Sequence, residues 1–223
     1  MNQWYRRWGK RLFDLLIAIP AFLILLPVMG IIALVARIRL GTPVIFRQQR
    51  PGWRGKPFIL YKFRTMTEER DVNGALLPDA QRLTPLGRFL RKTSLDELPE
   101  LVNVIAGEMS LVGPRPLLMS YLDRYTSKQF RRHEVRPGIT GWAQINGRQT
   151  IPFSRRLELD VWYVDHLSFG LDLRILALTI PRSLQSQGVV LGQEVEEVDD
   201  IGLFARPPSY PSPEKDATHD LPT

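Results

Sequence analysis

The sequence has 223 residues, 44% hydrophobic and 24% charged, enough for one sizeable domain with a real core and too few for a polytopic transporter. Its lack of cysteine and its three histidines, His133, His166 and His219, exclude a disulfide framework, a thiolate metal site and a cysteine nucleophile, and speak against an all-histidine zinc site. The net charge of +7 points to an anionic partner: nucleic acid, phospholipid or a phosphorylated substrate.

From Leu15 to Ala36 the chain runs 22 residues without a charge, LLIAIPAFLILLPVMGIIALVA. As a helix this segment would be roughly 33 Å long, about the hydrocarbon thickness of a bilayer. It is too long for the apolar region of a cleaved signal peptide, and Arg37 and Arg39 follow it directly. Arg6, Arg7, Lys10 and Arg11 precede it while Arg37, Arg39, Arg47, Arg50 and Arg54 follow, so the positive-inside rule assigns both flanks to the cytoplasmic side. A straight span fails that condition, and a helix that bends and returns to the same face meets it. Pro27 lies near the middle and Pro20 nearer the start, each removing a backbone hydrogen bond and clashing with the carbonyl four residues back. Residues 1–40 are therefore expected to form a re-entrant, monotopic membrane helix with Pro27 and Pro20 at its bend. An ordinary signal anchor with incidental prolines is the competing reading.

Next come two β-forming stretches, Val44 to Phe46 and Phe58 to Phe63, around a Pro51-Gly52 turn and Gly55, which predict a hairpin beside the membrane. Alternation of Tyr61 and Phe63 with Lys62 and Arg64 would bury one face and offer cations from the other to phosphates of lipid or substrate. Basic-aromatic alternation also occurs in nucleic-acid binders, but no groove-reading helix or RNA-recognition motif accompanies it, so nucleic acid is not expected as a partner.

TSLDELPEL holds the densest polar constellation. Ser94 and Glu97 fit an S-x-x-E capping box, and Pro99 requires a helix to begin close to Leu95 to Glu97, which places Asp96 beside its N-terminus and favours the ionised carboxylate. Two adjacent acids in a basic protein suit Mg²⁺ coordination or a carboxylate nucleophile; they also suit simple capping. Arg88, Arg91 and Lys92 before them, and Arg115 fixed between Pro114 and Pro116 after them, add phosphate-binding groups. HEVRPGITGWAQINGR brings Arg136 and Arg148 together with Gly138, Gly141 and Gly147, glycines that permit close approach to a ligand, and with Trp142 and Gln144, which suit a base or a sugar.

Leu167 to Leu184 is a largely apolar helix-like stretch ending at Pro181 and Arg182, suited equally to the membrane interface and to the core. Residues 1–190 carry 28 basic against 15 acidic groups, whereas 191–223 carry 2 against 8. The tail, rich in acids and prolines, is expected to be disordered. Residues 41–190 are read as one catalytic body joined to the membrane helix.

KRLFDLLIA, RQQRPG, YKFRTM, TSLDELPEL, LVGPRPLL, VRPGITGWAQINGR and ELDVWYV follow one another between about Lys10 and Ile180. In this order they resemble the small monotopic phosphoglycosyl transferases, the bacterial sugar transferase family that starts glycoconjugate assembly on polyprenol phosphate. The resemblance implies a helix-rich α+β fold: a re-entrant membrane hairpin, interfacial helices and a small β-hairpin or sheet around an active site on the cytoplasmic face of the bacterial inner membrane. It implies transfer of a sugar 1-phosphate from a UDP-sugar to undecaprenyl phosphate, with Mg²⁺, through an aspartyl phosphosugar on Asp96 and release of UMP. Glu97 would be a metal-site or acid/base partner, with both acids as Mg²⁺ ligands, and Arg91, Arg115, Lys62, Arg64, Arg136 and Arg148 would contact phosphates. An N-acetylated amino sugar is preferred over glucose or galactose as the donor's sugar. Anionic lipid and downstream glycosyltransferases are the further partners expected. Where many relatives have Ser-Pro at the bend, this chain has Leu26-Pro27, without a hydroxyl for the freed carbonyl. The rival from another class is a membrane-tethered basic scaffold that binds anionic lipid without chemistry.

Overall fold

The computed structural model describes residues 4–147, 150–184 and 199–202. A π-helical turn, Tyr5–Gly9, leads into α1 (Lys10–Leu40), followed by β1 (Ile45–Pro51) and β2 (Pro57–Phe63). The helices α2 (Asp79–Arg82), α3 (Pro85–Thr93) and α4 (Glu100–Ala106) then precede β3 (Ser110–Val112) and α5 (Ser127–Phe130). The strand β4 (Gly138–Thr140) and the helices α6 (Trp142–Ile145), α7 (Phe153–His166) and α8 (Phe169–Leu184) complete the fold, a helix-rich α+β arrangement.

β1 and β2 form the expected hairpin, antiparallel, with Ile45 opposite Phe63 and Pro51 opposite Pro57. β3 and β4 pair in parallel, Ser110 with Gly138 and Val112 with Thr140. Here the glycines serve backbone packing rather than ligand approach. A Cβ on Gly138 would fall 2.1 Å from the Gly113 nitrogen, so only glycine lets the two segments come this close.

Among the described residues, Tyr5–Leu40 is the one helical stretch long and apolar enough to cross a membrane. α1 continues through Pro20 and Pro27, and both its ends are bonded to the rest of the protein. Near its start, Arg11 donates to the Ile105 carbonyl at 2.8 Å, and Asp14 accepts from Ser110 Oγ at 2.9 Å and Leu111 N at 3.0 Å. Lys10 pairs with the buried Asp172 of α8 at 2.7 Å, and Asp172 also accepts from the Tyr5 and Tyr163 hydroxyls, each at 2.7 Å. At the far end, Arg64 donates to the carbonyls of Leu40 and Thr42, and Ile32 packs with Phe63 and Leu90. Ala18 and Ala36 are fully buried, small residues where α1 lies against the body, while Leu16, Leu23, Ile24, Ile31 and Leu34 are left exposed along the outer side.

α8 mixes the two roles that its sequence allows. Asp172 and Ile175 are fully buried, whereas Phe169 and Leu173 are exposed. The helix also passes through Pro181 instead of ending there. Most of the acidic tail lies outside the described residues; of those described, Asp200 caps α7, accepting from Ser154 N at 3.0 Å and from the Ser154 hydroxyl.

Candidate active site

The acidic pair is presented by a sharp turn between two short helices. Thr84 caps α3 by accepting from Gly87 N at 3.0 Å, and Pro85 occupies its first turn. A Cβ on Gly87 would fall 1.9 Å from the Thr65 carbonyl, so the glycine lets α3 dock on the chain leaving β2. The expected capping box does not form. Ser94 adopts the left-handed conformation, φ 58°, as the C-cap of α3, and makes no side-chain cap bond to the following turn. That reversal carries the chain into the 3₁₀ turn Leu95–Glu97, and α4 begins only after Pro99. Asp96 and Glu97 are therefore held in the turn that leads into α4, near the predicted position but by a different device.

The cations around the pair come from three separate segments. Lys62 lies on the face of β2 that buries Phe58 and Leu60, not on an outward basic face as its alternation suggested. Its Nζ sits 2.8 Å from Glu97 Oε1 and 3.1 Å from Glu100 Oε1. Asn103 fixes that strand against α4, donating to the Ile59 carbonyl at 2.7 Å and accepting from Tyr61 N at 3.2 Å. Arg115 reaches the same Oε1 of Glu97 from the loop after β3. The backbone of Arg115 is pinned in turn: Arg132 donates to its carbonyl at 2.6 Å while pairing with Asp160 at 2.7 Å, both side chains almost fully buried. Arg91, braced by Thr65 Oγ1 at 3.0 Å, supplies a further charge beside Asp96.

These contacts divide the carboxylates electrostatically. Burial pushes Glu97 up, but Arg115 and Lys62 outweigh it and hold the group well below the usual carboxylate range. Burial, and then the charge of Glu97, raise Asp96, against the lowering influence of Lys62, Arg115 and Arg91. Among the described residues Asp96 is bonded to none of these cations, although it is only 7% exposed. Burial raises Glu100 to about 7, despite Lys62. Arg50, buried close by, is lowered to about 10 by burial and then by the charge of Arg115.

Other sequence-predicted residues lie elsewhere. Arg64 is engaged at the end of α1. Arg136 donates to the Gly107 carbonyl at 2.7 Å, closing the C-terminus of α4, and its guanidinium lies over Trp53. Trp142 stacks on Trp162, and Trp162 on His166, with ring centroids 4.8 Å and 4.1 Å apart; the two tryptophans border a surface cleft of about 500 Å³ whose lining includes neither Asp96, Glu97 nor Arg115. Arg148 falls outside the described residues. Gln144, by contrast, adjoins the acidic pair: a cavity of about 250 Å³ is bounded by Glu97, Arg115 and Gln144, and reaches Leu25 of α1 and Leu176 of α8.

Four residues that the sequence reading did not single out complete the site: Glu100, Asn103, Arg132 and Asp160. Glu100 was accessible from its spacing, three residues beyond Glu97 and hence on the same side of a helical turn. Arg132 and Asp160 meet across 28 residues and leave no local sign.

Among the described residues, no group of three or more His, Asp or Glu side chains is arranged to hold a metal ion. Mg²⁺, however, commonly takes one or two carboxylates together with substrate phosphates. Asp96, unbonded to the surrounding cations, and Glu97, with only Oε1 engaged, fit an ion bound in that way.

Known proteins are similar to this chain in sequence. The family model described as bacterial sugar transferase matches residues 5–186. The uncharacterized sugar transferase EpsL of Bacillus subtilis is 60% identical over 180 residues, 81% of this chain and 89% of its own. The UDP-glucose:undecaprenyl-phosphate glucose-1-phosphate transferase of Escherichia coli is 41% identical over 181 residues, 77% of this chain and 39% of its own. The undecaprenyl-phosphate galactose phosphotransferase of Salmonella typhimurium is 39% identical over 200 residues, 82% of this chain and 42% of its own. The chain thus spans most of the length of the first relative and about two fifths of the other two.

Proposed function

The chain belongs to the bacterial sugar transferase family, of the phosphoglycosyl transferase type, and from that premise we propose that it moves a sugar 1-phosphate from a UDP-sugar to undecaprenyl phosphate. One observation carries the reading: of two adjacent buried carboxylates, Glu97 is bonded to two cations, whereas Asp96 is bonded to neither and made more basic by burial.

Asp96 is the nucleophile. Its carboxylate oxygen bonds to the β-phosphorus of the donor, the bond from that phosphorus to the oxygen bridging to UMP breaks, and UMP leaves with the electron pair. A phosphate oxygen of undecaprenyl phosphate then bonds to the same phosphorus, and the Asp96 carboxylate departs unchanged. Lys62, Arg115 and Arg91 offset charge on the phosphoryl oxygens, as phosphoryl transfer requires. Glu97, held ionised, serves as the anchor that aims Lys62 and Arg115 and is poorly suited to donate a proton at neutral pH. Asp96 and Glu97 would hold Mg²⁺, which supplies further charge neutralisation on the diphosphate when bound.

We also place α1 as a re-entrant segment in the inner membrane, with the body on the cytoplasmic face. Support comes from its two ends: Arg11 binds the end of α4, and Arg64 binds the end of α1, so one body holds both. The basic flanks contact anionic headgroups, and the lipid-linked product passes to downstream glycosyltransferases in polysaccharide assembly. The sequence reading preferred an N-acetylated amino sugar, while the Escherichia coli and Salmonella relatives are named for glucose and galactose; a donor panel must include all of these. Incubating the membrane-reconstituted chain with undecaprenyl phosphate, Mg²⁺ and radiolabelled UDP-glucose, UDP-galactose, UDP-N-acetylglucosamine or UDP-N-acetylgalactosamine tests the proposal. A labelled lipid product with wild type and none with Asp96→Asn is expected; no product from any donor overturns it.

A further inference from the structure

The cavity beside Glu97 and Arg115 contains a group that phosphate transfer leaves unused. Both polar atoms of the Gln144 side chain, Nε2 and Oε1, are buried without a hydrogen-bond partner among the described residues. Leaving a buried amide unpaired is unfavourable, and a ligand that pairs with it recovers that loss.

The proton count on the neighbouring threonines says what kind of ligand answers. Thr179 Oγ1 donates its only proton to the Ile175 carbonyl at 2.7 Å, so in its 2.8 Å contact with Thr140 the donor is the Thr140 hydroxyl. Thr140 Oγ1 therefore has lone pairs and no free proton. The neutral polar side chains lining the cavity are Ser94, Thr140, Gln144 and Thr179; of these, Gln144 is the one with both a donor, Nε2, and an acceptor, Oε1, buried and unpartnered among the described residues.

A phosphate only accepts and would leave Oε1 unpaired; a polyprenyl chain pairs with neither atom. A cavity of ~150 Å³ takes one benzene ring, so about 250 Å³ has room for one substituted six-membered ring. A uracil edge has suitable donors and acceptors, but in a UDP-sugar the ribose and α-phosphate separate the base from the phosphorus under attack. The sugar is attached to that phosphorus directly, and Glu97, the immediate neighbour of Asp96, lines the cavity.

We propose that Gln144 is a specificity-determining residue for the donor, its amide pairing with two adjacent ring hydroxyls of the sugar, one donating to Oε1 and one accepting from Nε2. The inference rests on the sugar 1-phosphate transfer proposed above and adds which substrate group is read and by which side chain.

The test is formation of the Asp96 adduct by the full chain in detergent or nanodiscs, followed by intact mass, with the four UDP-sugars named above and with the 2-, 3- and 4-deoxy analogues of whichever is accepted. Wild type is expected to discriminate against at least one deoxy analogue by about tenfold or more. Gln144→Leu is expected to raise the donor KM by about tenfold and the KM of that analogue, whose remaining hydroxyl still pairs with the amide, by a clearly smaller factor, while leaving inhibition by UMP and the KM for undecaprenyl phosphate unchanged. Gln144→Met, closer in shape, guards against a folding defect in the leucine variant and should give the same pattern. Equal losses with the full and deoxy donors, weakened UMP inhibition alone, or a changed acceptor KM alone would each overturn the assignment. Absence of any adduct from wild type would instead remove the transferase reading, and the inference with it.

Discussion

Arg132 donates to the main-chain carbonyl of Arg115 at 2.6 Å, holding by its backbone the residue whose side chain grips Glu97. Because Arg132 is itself locked to Asp160, an ion pair with almost no solvent exposure lies behind Arg115, the arginine proposed to contact phosphate. Removing one member of such a pair typically costs about 3–5 kcal/mol. Asp160→Asn should lower Tm by roughly 6–15 °C and slow adduct formation at temperatures where the variant is still folded. A thermal melt paired with single-turnover kinetics checks both effects, and normal kinetics in the folded variant would remove Arg132 and Asp160 from the positioning of Arg115.

The acidic pair should respond oppositely to loss of charge. Burial disfavours ionised Asp96, so Asp96→Asn removes an unfavourable charge and should melt no lower than wild type while losing the covalent adduct completely. Detection of a phosphosugar on a peptide without Asp96 would refute the assignment.

Glu97→Gln removes the negative charge shared by Lys62 and Arg115, leaving Lys62 only Glu100 as a counter-ion. Since Arg115 is 38% exposed, the penalty should fall below that of a fully buried pair, at about 2–3 kcal/mol. The pH dependence follows from the depressed folded-state pKa: the stabilisation is present above the ordinary carboxylate value of 4.5 and is lost as pH falls through the lower folded value. Melting curves from pH 7 down to pH 3 should therefore converge for wild type and Glu97→Gln as acidity increases. Parallel curves would show that Glu97 titrates alike in the folded and unfolded chain, and would overturn its depressed folded-state value.

Small tags at Met1 and within the body after Leu40 should be labelled from the same side of sealed membrane vesicles. Labelling from opposite sides would replace the re-entrant arrangement with a straight crossing.

The sequence revealed elements whose cause is local. The uncharged run from Leu15, the hairpin around Gly52 and Gly55, and the turn bearing Asp96 all depend on nearby residues, and all are present. Ser94 misled because S-x-x-E describes a helix start equally well when the serine is ending the helix before it. The arginines misled for a related reason: composition counts cations but does not say what they bind. Arg64 and Arg136 spend their donors on helix-end carbonyls, whereas Lys62 crosses 35 residues to reach Glu97. Distances of that kind arise only after β2 has packed on α4, through Asn103.

The charged start of α1 has a consequence for biosynthesis. Lys10 and Asp14 stand at the threshold of an apolar helix, but Asp14 is satisfied by Ser110, 96 residues on, and Lys10 by Asp172, 162 residues on. Translation runs from the N-terminus, so α1 is made before those partners exist. Its seating against the body therefore waits for α8, and a chain truncated before α8 would leave Lys10 without Asp172.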